Sequence, residues 1–263
     1  MIAERRYAPT VMTPSPVPGA AVTQFAVIDA LLAGAYESGL RVGEARAIGD
    51  FGLGCVDHLG GEVVIVDGAA IECTLDGRPV TMDDDEILPF AIVCRFPEIP
   101  GVGLNEQDVA GLAGFAASVE PQLTSRNLFH AVRFDGVLAE VRVRVTPRQQ
   151  HPLPRLAEVT SHQVETVARR IRGTVVGFWT PAIYQGIAVS GLHLHFLSED
   201  RSLGGHVLDL AVEAGDLRVA AYARFDLRLP TDDLFLRTEL THAEDHRIVA
   251  VEGGAAAPDQ SSS

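Results

Sequence analysis

The sequence contains no lysine, and all 21 of its basic residues are arginine. Schiff-base catalysis, covalent attachment of pyridoxal phosphate and the lysine-bearing phosphate-binding loop all require a side-chain amine. These three chemistries are therefore excluded. Any electrophile that the protein uses must be of another kind.

Positive charge and long apolar runs are also scarce. The 35 acidic and 21 basic side chains give a formal net charge of −14, which repels phosphate groups, so neither nucleic acid nor an anionic membrane is an expected partner. The longest apolar stretches, near residues 175–179 and 187–189, fall far short of the roughly 18 to 20 residues that span a bilayer. The N-terminal residues lack the apolar segment of a signal peptide, and we therefore expect a cytoplasmic location.

Cysteine is rare as well. Cys55, Cys73 and Cys94 form an odd set without CxxC spacing. This pattern predicts neither a disulfide framework nor a thiolate zinc site. We interpret Cys73 and Cys94 as small core residues.

Short β-rich runs dominate the remaining pattern. Apolar spacing predicts helices over residues 22–36 and 105–119, and a capping pattern at Thr160 predicts another that extends to residue 170. Asp135-Gly136, between two β-like runs, predicts a hairpin turn. The excess of strands over helices favours the α+β class instead of a doubly wound parallel fold. We expect two closely packed, sheet-rich halves with mixed β-sheets and a few flanking helices.

A proline-rich crossing at residues 147–154 is the expected boundary between these halves. The chain then divides into four parts, of which the third carries the candidate metal site. They are a flexible arm over residues 1–20, an N-terminal α+β domain over 21–150, a C-terminal sheet domain over 151–252 and a flexible tail over 253–263.

Three histidines form the most specific candidate site. His193 and His195 alternate with apolar residues, so on a strand both imidazoles face one side while the apolar residues face the core. His206 follows Gly204-Gly205, which lets a second strand return close to the first. Three imidazole nitrogens bind zinc and leave open positions for a substrate, as in catalytic zinc sites.

A solvated strand face is the simpler interpretation of His193 and His195 alone. The third histidine favours a metal site, because burying unpaired imidazoles is costly. Asp209 and Glu199 stay open as supporting or alternative ligands, although a solvated surface position suits Glu199 better.

Motifs along nearly the whole chain, over about residues 22–253, resemble the bacterial acetolactate decarboxylase family. The sequence departs from the family pattern at Cys55, where threonine is common, and at Gly60, where aspartate often precedes Gly-Glu. The motifs are GDFGLG at 49–54, GE at 61–62, SRNLF at 125–129, RFDG at 133–136, RGTVVGFWTP at 172–181, GIAVSGLHLHF at 186–196, GGHV at 204–207, LRLP at 227–230 and EG at 252–253.

This resemblance implies a zinc-dependent decarboxylation of (S)-2-acetolactate to (R)-acetoin and carbon dioxide, within acetoin and butanediol formation, by a homodimer. The implied zinc ligands are His193, His195 and His206, and the matching polar active-site residues are Glu62, Arg144 and Glu252. Zinc would act as a Lewis acid on the ketone and hydroxyl oxygens of this small 2-hydroxy-3-oxo acid.

The resemblance also implies roles for the three polar residues. Arg144 would hold the substrate carboxylate, with Arg142 on the same strand as the alternative, and Glu62 or Glu252 would deliver a proton.

Two other functional classes stay open. A cupin-like metal-dependent oxygenase would use two histidines and a carboxylate, and Glu199 lies four residues after His195. The proline and asparagine of the second cupin motif are missing around His206. A non-catalytic, zinc-stabilised small-molecule binding module would instead favour a closed shell of four ligands.

Overall fold

The computed structural model describes residues 16–76, 78–106, 109–150, 153–155, 159 and 162–240. Glu252, the arm up to residue 15 and the tail at 253–263 lie outside this part of the chain. Within it, two main β-sheets face each other and short helices cover their outer faces. The predicted α+β class is confirmed.

The described strands are numbered in chain order. They are β1 (Val22–Phe25), β2 (Leu40–Arg41), β3 (Phe51–Cys55), β4 (Glu62–Val66), β5 (Ala69–Cys73), β6 (Val80–Thr81), β7 (Ile87–Leu88), β8 (Phe90–Cys94), β9 (Val102–Asn105), β10 (Phe129–Val145), β11 (Val164–Thr180), β12 (Gly191–Ser198), β13 (Gly204–Tyr222) and β14 (Phe225–Arg228). The described α-helices are α1 (Ile28–Ala33), α2 (Val42–Ile48), α3 (Gly111–Val119) and α4 (Asp233–Arg237).

The first sheet is mixed and has seven strands in the order β14-β1-β8-β3-β4-β5-β6. Only the β14–β1 pair is parallel among the pairings described. β2 and β7 form a separate antiparallel ribbon. The β3–β4 connection contains a tight turn at Asp57–Leu59, which lies beside the site described below.

The second sheet contains β10, β11, β12, β13 and β9, and all of its pairings are antiparallel. β10 also pairs with β13, so these four long strands form a closed ring of pairings. The ring brings the start of β13 against both β12 and the end of β10. Residues from three strands therefore meet at one end of the sheet.

Alternation along the strands divides the core into three layers. On β4, Val64 and Val66 point between the two sheets, whereas Val63 and Ile65 pack towards α2. The far face of the second sheet buries its apolar side chains against α3, where Phe115 is fully buried. Each sheet therefore has one face in the central layer, which also contains the candidate site.

The hairpin predicted at Asp135-Gly136 is wrong, because β10 continues through both residues. Gly136 is paired with Gly173 on one side and with Gly215 on the other. A side chain at Gly136 would place its Cβ only 2.3 Å from the carbonyl oxygen of Ala214. The glycine therefore permits close strand packing, and it does not mark a turn.

Two helix predictions also differ from the structure. Residues 22–36 contain β1 followed by the six-residue helix α1, and residues 164–170 belong to β11. In both segments, pairing with distant strands overrides the local helical pattern. The third prediction is right over α3, although the helix begins at Gly111 and not near residue 105.

The sheets do not divide at the expected boundary between residues 150 and 151. β9 and β10 precede it but belong to the second sheet, whereas β14 follows it and belongs to the first sheet. The chain crosses between sheets because β14 returns to pair with β1. No described helix is long and apolar enough to cross a membrane.

Candidate metal centre and adjoining cavity

Three imidazoles meet where β12 and β13 pair. His193 and His195 lie on β12, and His206 on β13 is the direct cross-strand partner of His195. The ring centroids are 5.0 to 5.4 Å apart, and one potential ligand nitrogen from each ring lies within 4.8 Å of the others. All three residues are buried. The predicted cluster is therefore present in the fold.

The local sequence explains why the imidazoles share one side. Leu192, Leu194 and Phe196 alternate with the histidines and pack into the outer core of the second sheet. The histidines then face the layer between the two sheets.

The double glycine brings the third imidazole close. Gly205 has a φ of +153°, and a Cβ atom there would lie 2.6 Å from the carbonyl oxygen of Arg144. This absence of a side chain allows β13 to approach β10 while it pairs with β12. His206 thereby stands beside Arg144, its register partner on β10.

Hydrogen bonding sets the tautomer of one imidazole. Nδ1 of His195 lies 2.8 Å from the carbonyl oxygen of Val63 on β4. Since a carbonyl oxygen only accepts, Nδ1 carries the proton, and in the neutral ring Nε2 then has the lone pair. Backbone contacts of this kind commonly orient metal-binding histidines.

Burial favours the neutral form of a second imidazole. Burial, and after it the positive charge of Arg144, lower the pKa of His193 to about 3. A neutral imidazole is the form that binds metal ions. His193 thus has the protonation that a metal site requires.

Glu62 and Arg144 approach the imidazoles from opposite sheets. Glu62, at the start of β4, is 8% exposed, and its Oε2 lies 3.4 Å from Nε2 of His195. Arg144, at the end of β10, is 3% exposed and donates through Nη1 to Oε1 of Gln163 at 3.2 Å. Arg142 is exposed and lies near Glu165. Of the two arginines considered from sequence, Arg144 is therefore the one at the site.

A small cavity of about 30 Å³ adjoins these groups. One part of its wall is polar and the rest is mostly apolar. The polar part comprises Glu62, Arg144, Thr146, His193 and His195, and the remainder comprises Ile28, Leu31, Gly54, Cys55, Leu59 and Phe90.

Comparison with known proteins assigns the chain to a family. Residues 22–242 match the family model for alpha-acetolactate decarboxylase. The chain belongs to this family. It is accordingly an enzyme of the carboxy-lyase class, and the sequence resemblance is confirmed.

Relatives of the alpha-acetolactate decarboxylase family cover most of the chain. The protein of Methanosarcina mazei is 38% identical over 217 residues, which are 82% of this chain and 75% of the relative. The protein of Bacillus subtilis strain 168 is 32% identical over 238 residues, which are 90% of this chain and 92% of the relative. The crystal structure of alpha-acetolactate decarboxylase from Bacillus subtilis strain 168 matches with a TM-score of 0.85 at 31% identity, and the match covers 89% of this chain and 100% of that chain.

Both departures from the expected acetolactate decarboxylase pattern lie near the cavity. Cys55 is buried, lines the cavity and is the cross-strand partner of Glu62. At Gly60, an added Cβ would lie 2.7 Å from the Cβ of Arg148, so a larger residue would require Arg148 to move. Gly60 is therefore matched to its local surroundings in this member.

Several sequence candidates lie elsewhere. Asp209 accepts a hydrogen bond from the backbone nitrogen of Leu112 in the first turn of α3, and Glu199 is exposed near Arg172. Neither belongs to the histidine cluster that could hold a metal. Glu252 lies outside the described residues, and its role stays a prediction.

Some residues of the cavity wall were not predicted from the sequence. Thr146 lies two positions after Arg144, so strand alternation could have identified it. Leu59, Ile28 and Phe90 come from separate elements that only the fold brings together.

Proposed function

We propose that this chain holds a zinc ion through His193, His195 and His206 and decarboxylates (S)-2-acetolactate to (R)-acetoin and carbon dioxide. The observation that carries the proposal is a buried cluster of three imidazoles beside a small cavity that also contains Arg144 and Glu62. Membership of the alpha-acetolactate decarboxylase family supports the substrate. The reaction class and the local chemistry thus agree.

The donor set fits zinc. Three neutral nitrogen donors are typical of catalytic zinc sites, in which at least one position stays open for water or substrate. The closed four-ligand shell of a structural site would need a further donor, and the described cluster consists of the three histidines. When bound, zinc would supply a Lewis acid for the ketone and hydroxyl oxygens of the substrate.

Arg144 is the group best suited to hold the substrate carboxylate. Its planar guanidinium can donate two parallel hydrogen bonds to a carboxylate, and burial strengthens such contacts by excluding water. Gln163 accepts from Nη1 and helps to hold the side chain in place. Release of carbon dioxide leaves an electron pair on C2, which the neighbouring ketone must accept. An imine formed with lysine cannot take the place of this ketone, because the chain has no lysine.

Glu62 is our candidate for the group that delivers the proton to complete acetoin. It projects from the first sheet, whereas Arg144 projects from the second, so the two groups approach a bound substrate from different sides. Protonation from one side only would produce a single enantiomer. Glu252, by sequence resemblance, is the second candidate for this role.

The homodimer, the cytoplasmic location and the place in acetoin and butanediol formation are parts of the same proposal. They rest on the sequence and the family resemblance. The exposed position of Glu199 disfavours the cupin-like alternative, which needs that carboxylate as a ligand.

The decisive experiment measures acetoin and carbon dioxide formed from racemic acetolactate. Zinc-loaded protein is compared with chelator-treated protein, with His193→Ala and with His162→Ala, a matched change at an exposed histidine outside the cluster. We expect (R)-acetoin from the zinc-loaded wild type and from His162→Ala only. Bound zinc without turnover would support the binding module, and oxygen-dependent turnover with iron would support the oxygenase.

A further inference from the structure

The turn between β3 and β4 is conformationally strained at the cavity wall. His58 and Leu59 have φ values of +56° and +53°, which non-glycine residues rarely adopt. Six described non-glycine residues have positive φ, and among them only Leu59 lines the cavity. Strained backbone persists where surrounding contacts hold it, and it concentrates at functional sites.

Contacts from the segment after β10 hold this turn. The hydroxyl of Thr146 donates to the carbonyl oxygen of Leu59 at 2.6 Å, and this hydrogen bond is buried. The backbone nitrogen of Gln149 donates to the carbonyl oxygen of His58 at 2.8 Å. The backbone of both strained residues is therefore held by the segment that directly follows β10, the strand that carries Arg144.

These two hydrogen bonds set the position of Leu59 relative to Arg144, and therefore relative to a carboxylate that Arg144 would hold. Thr146 and Arg144 are two residues apart, and both line the cavity. A carboxylate held by Arg144 is attached to C2 of the substrate, and C2 also bears the alkyl substituent. The acetyl group is bonded to C2 as well, so both groups meet the apolar lining, to which Leu59 contributes from the strained turn and Ile28 and Leu31 contribute from α1.

We propose that Leu59, held in a strained turn by the Thr146 hydroxyl, determines which alkyl group the cavity accepts at C2 of the substrate. This inference rests on the proposed decarboxylation. Leu59 contacts the alkyl group, and Thr146 is a positioning residue that acts through Leu59. The small cavity then favours the methyl group of acetolactate over the ethyl group of 2-ethyl-2-hydroxy-3-oxobutanoate.

The test compares kcat/KM for these two substrates, since one methylene group changes this ratio by roughly 10- to 200-fold in a tight apolar pocket. We expect Leu59→Ala to raise the ethyl-to-methyl ratio by about tenfold. Leu59→Gly should shift it in the same direction, and it is the better-folding variant because glycine adopts positive φ without strain.

Two further variants separate a specific role from a general loss of packing. Thr146→Val removes the hydroxyl but keeps the shape of the side chain, and we expect it to raise the ethyl-to-methyl ratio less than Leu59→Ala does. Thr146→Ser retains the hydroxyl and should show the ratio of the wild type. Leu31→Ala truncates another leucine of the cavity lining, on α1. It should lower kcat/KM for both substrates without changing the ratio between them. Melting temperatures identify variants that fail to fold.

The outcomes are distinguishable. A wild type that releases carbon dioxide from neither substrate contradicts the proposed function itself. A wild type that turns over acetolactate, with an unchanged ratio in Leu59→Ala and Leu59→Gly, overturns the role of Leu59 alone. A shift in Leu31→Ala as large as that in Leu59→Ala would also overturn it, because the ethyl group would then face α1.

Discussion

Replacing Arg144 with lysine keeps the positive charge at the cavity but removes the planar pair of donors. Arg144 is 3% exposed, so its contacts are little screened by water. A guanidinium can bind both oxygens of a carboxylate and still donate to Gln163, which lies 3.2 Å from Nη1. A lysine ammonium cannot reproduce this arrangement.

The size of the effect follows from the number of hydrogen bonds lost. A hydrogen bond to a charged group contributes about 1.5 to 3 kcal/mol, and Arg144→Lys loses one of the two bonds to the carboxylate. This loss corresponds to a decrease in kcat/KM for acetolactate of roughly 10- to 100-fold. The charge is retained, and we therefore expect the variant to fold.

The assay measures initial rates of acetoin formation together with the zinc content of each variant. Arg142→Lys is the matched control, because Arg142 is exposed on the same strand and contacts only the exposed Glu165 at 3.5 Å among the described ion pairs. Its kcat/KM should stay within about twofold of the wild type. The reasoning is refuted if Arg144→Lys also stays in that range, or if Arg142→Lys loses as much activity.

Three further predictions concern stability and reactivity. Gly205→Ala should lower the free energy of unfolding by about 1 to 3 kcal/mol, because the added Cβ would clash with the carbonyl oxygen of Arg144. Gly103→Ala is the control in the same urea titration, and it should have little effect because a Cβ at Gly103 meets open space. Burial lowers the pKa of His130 in the folded protein to about 4. The unfolded chain, with an ordinary histidine pKa of about 6.5, therefore takes up a proton at a higher pH than the folded protein does. The free energy of unfolding should decrease by up to about 3 kcal/mol between pH 6.5 and 4. His130→Gln should show a shallower decrease, and an equal slope would rule out His130 as the cause. Burial raises the pKa of Cys94 to about 12, so iodoacetamide should leave it unmodified at pH 8 in the native protein and modify it after unfolding, as peptide mass mapping can establish.

The histidine cluster could be predicted because its geometry depends largely on local sequence. Alternation along one strand sets the common side of His193 and His195, and the double glycine before His206 permits a close return. The wall opposite these imidazoles could not be predicted in the same way. Ile28, Leu59 and Phe90 belong to three separate elements, and no periodic pattern connects them.

The errors in secondary structure have the same physical origin. Asp135-Gly136 has the composition of a turn, but Gly136 pairs with Gly173 and Gly215, which are distant in the chain. Close packing of these strands decides the conformation. Local propensity is a weak guide where strand pairing contributes more to the free energy of folding.

By itself, the sequence excluded lysine chemistry and indicated the three imidazoles, because composition and strand alternation are local properties, and its motifs carried the resemblance to the family. The tertiary structure decided that Arg144, and not Arg142, lies at the cavity, and that Thr146 holds the strained turn at Leu59. These relations depend on how the two sheets face each other. Contacts between residues far apart in the chain arise only when the whole core is packed.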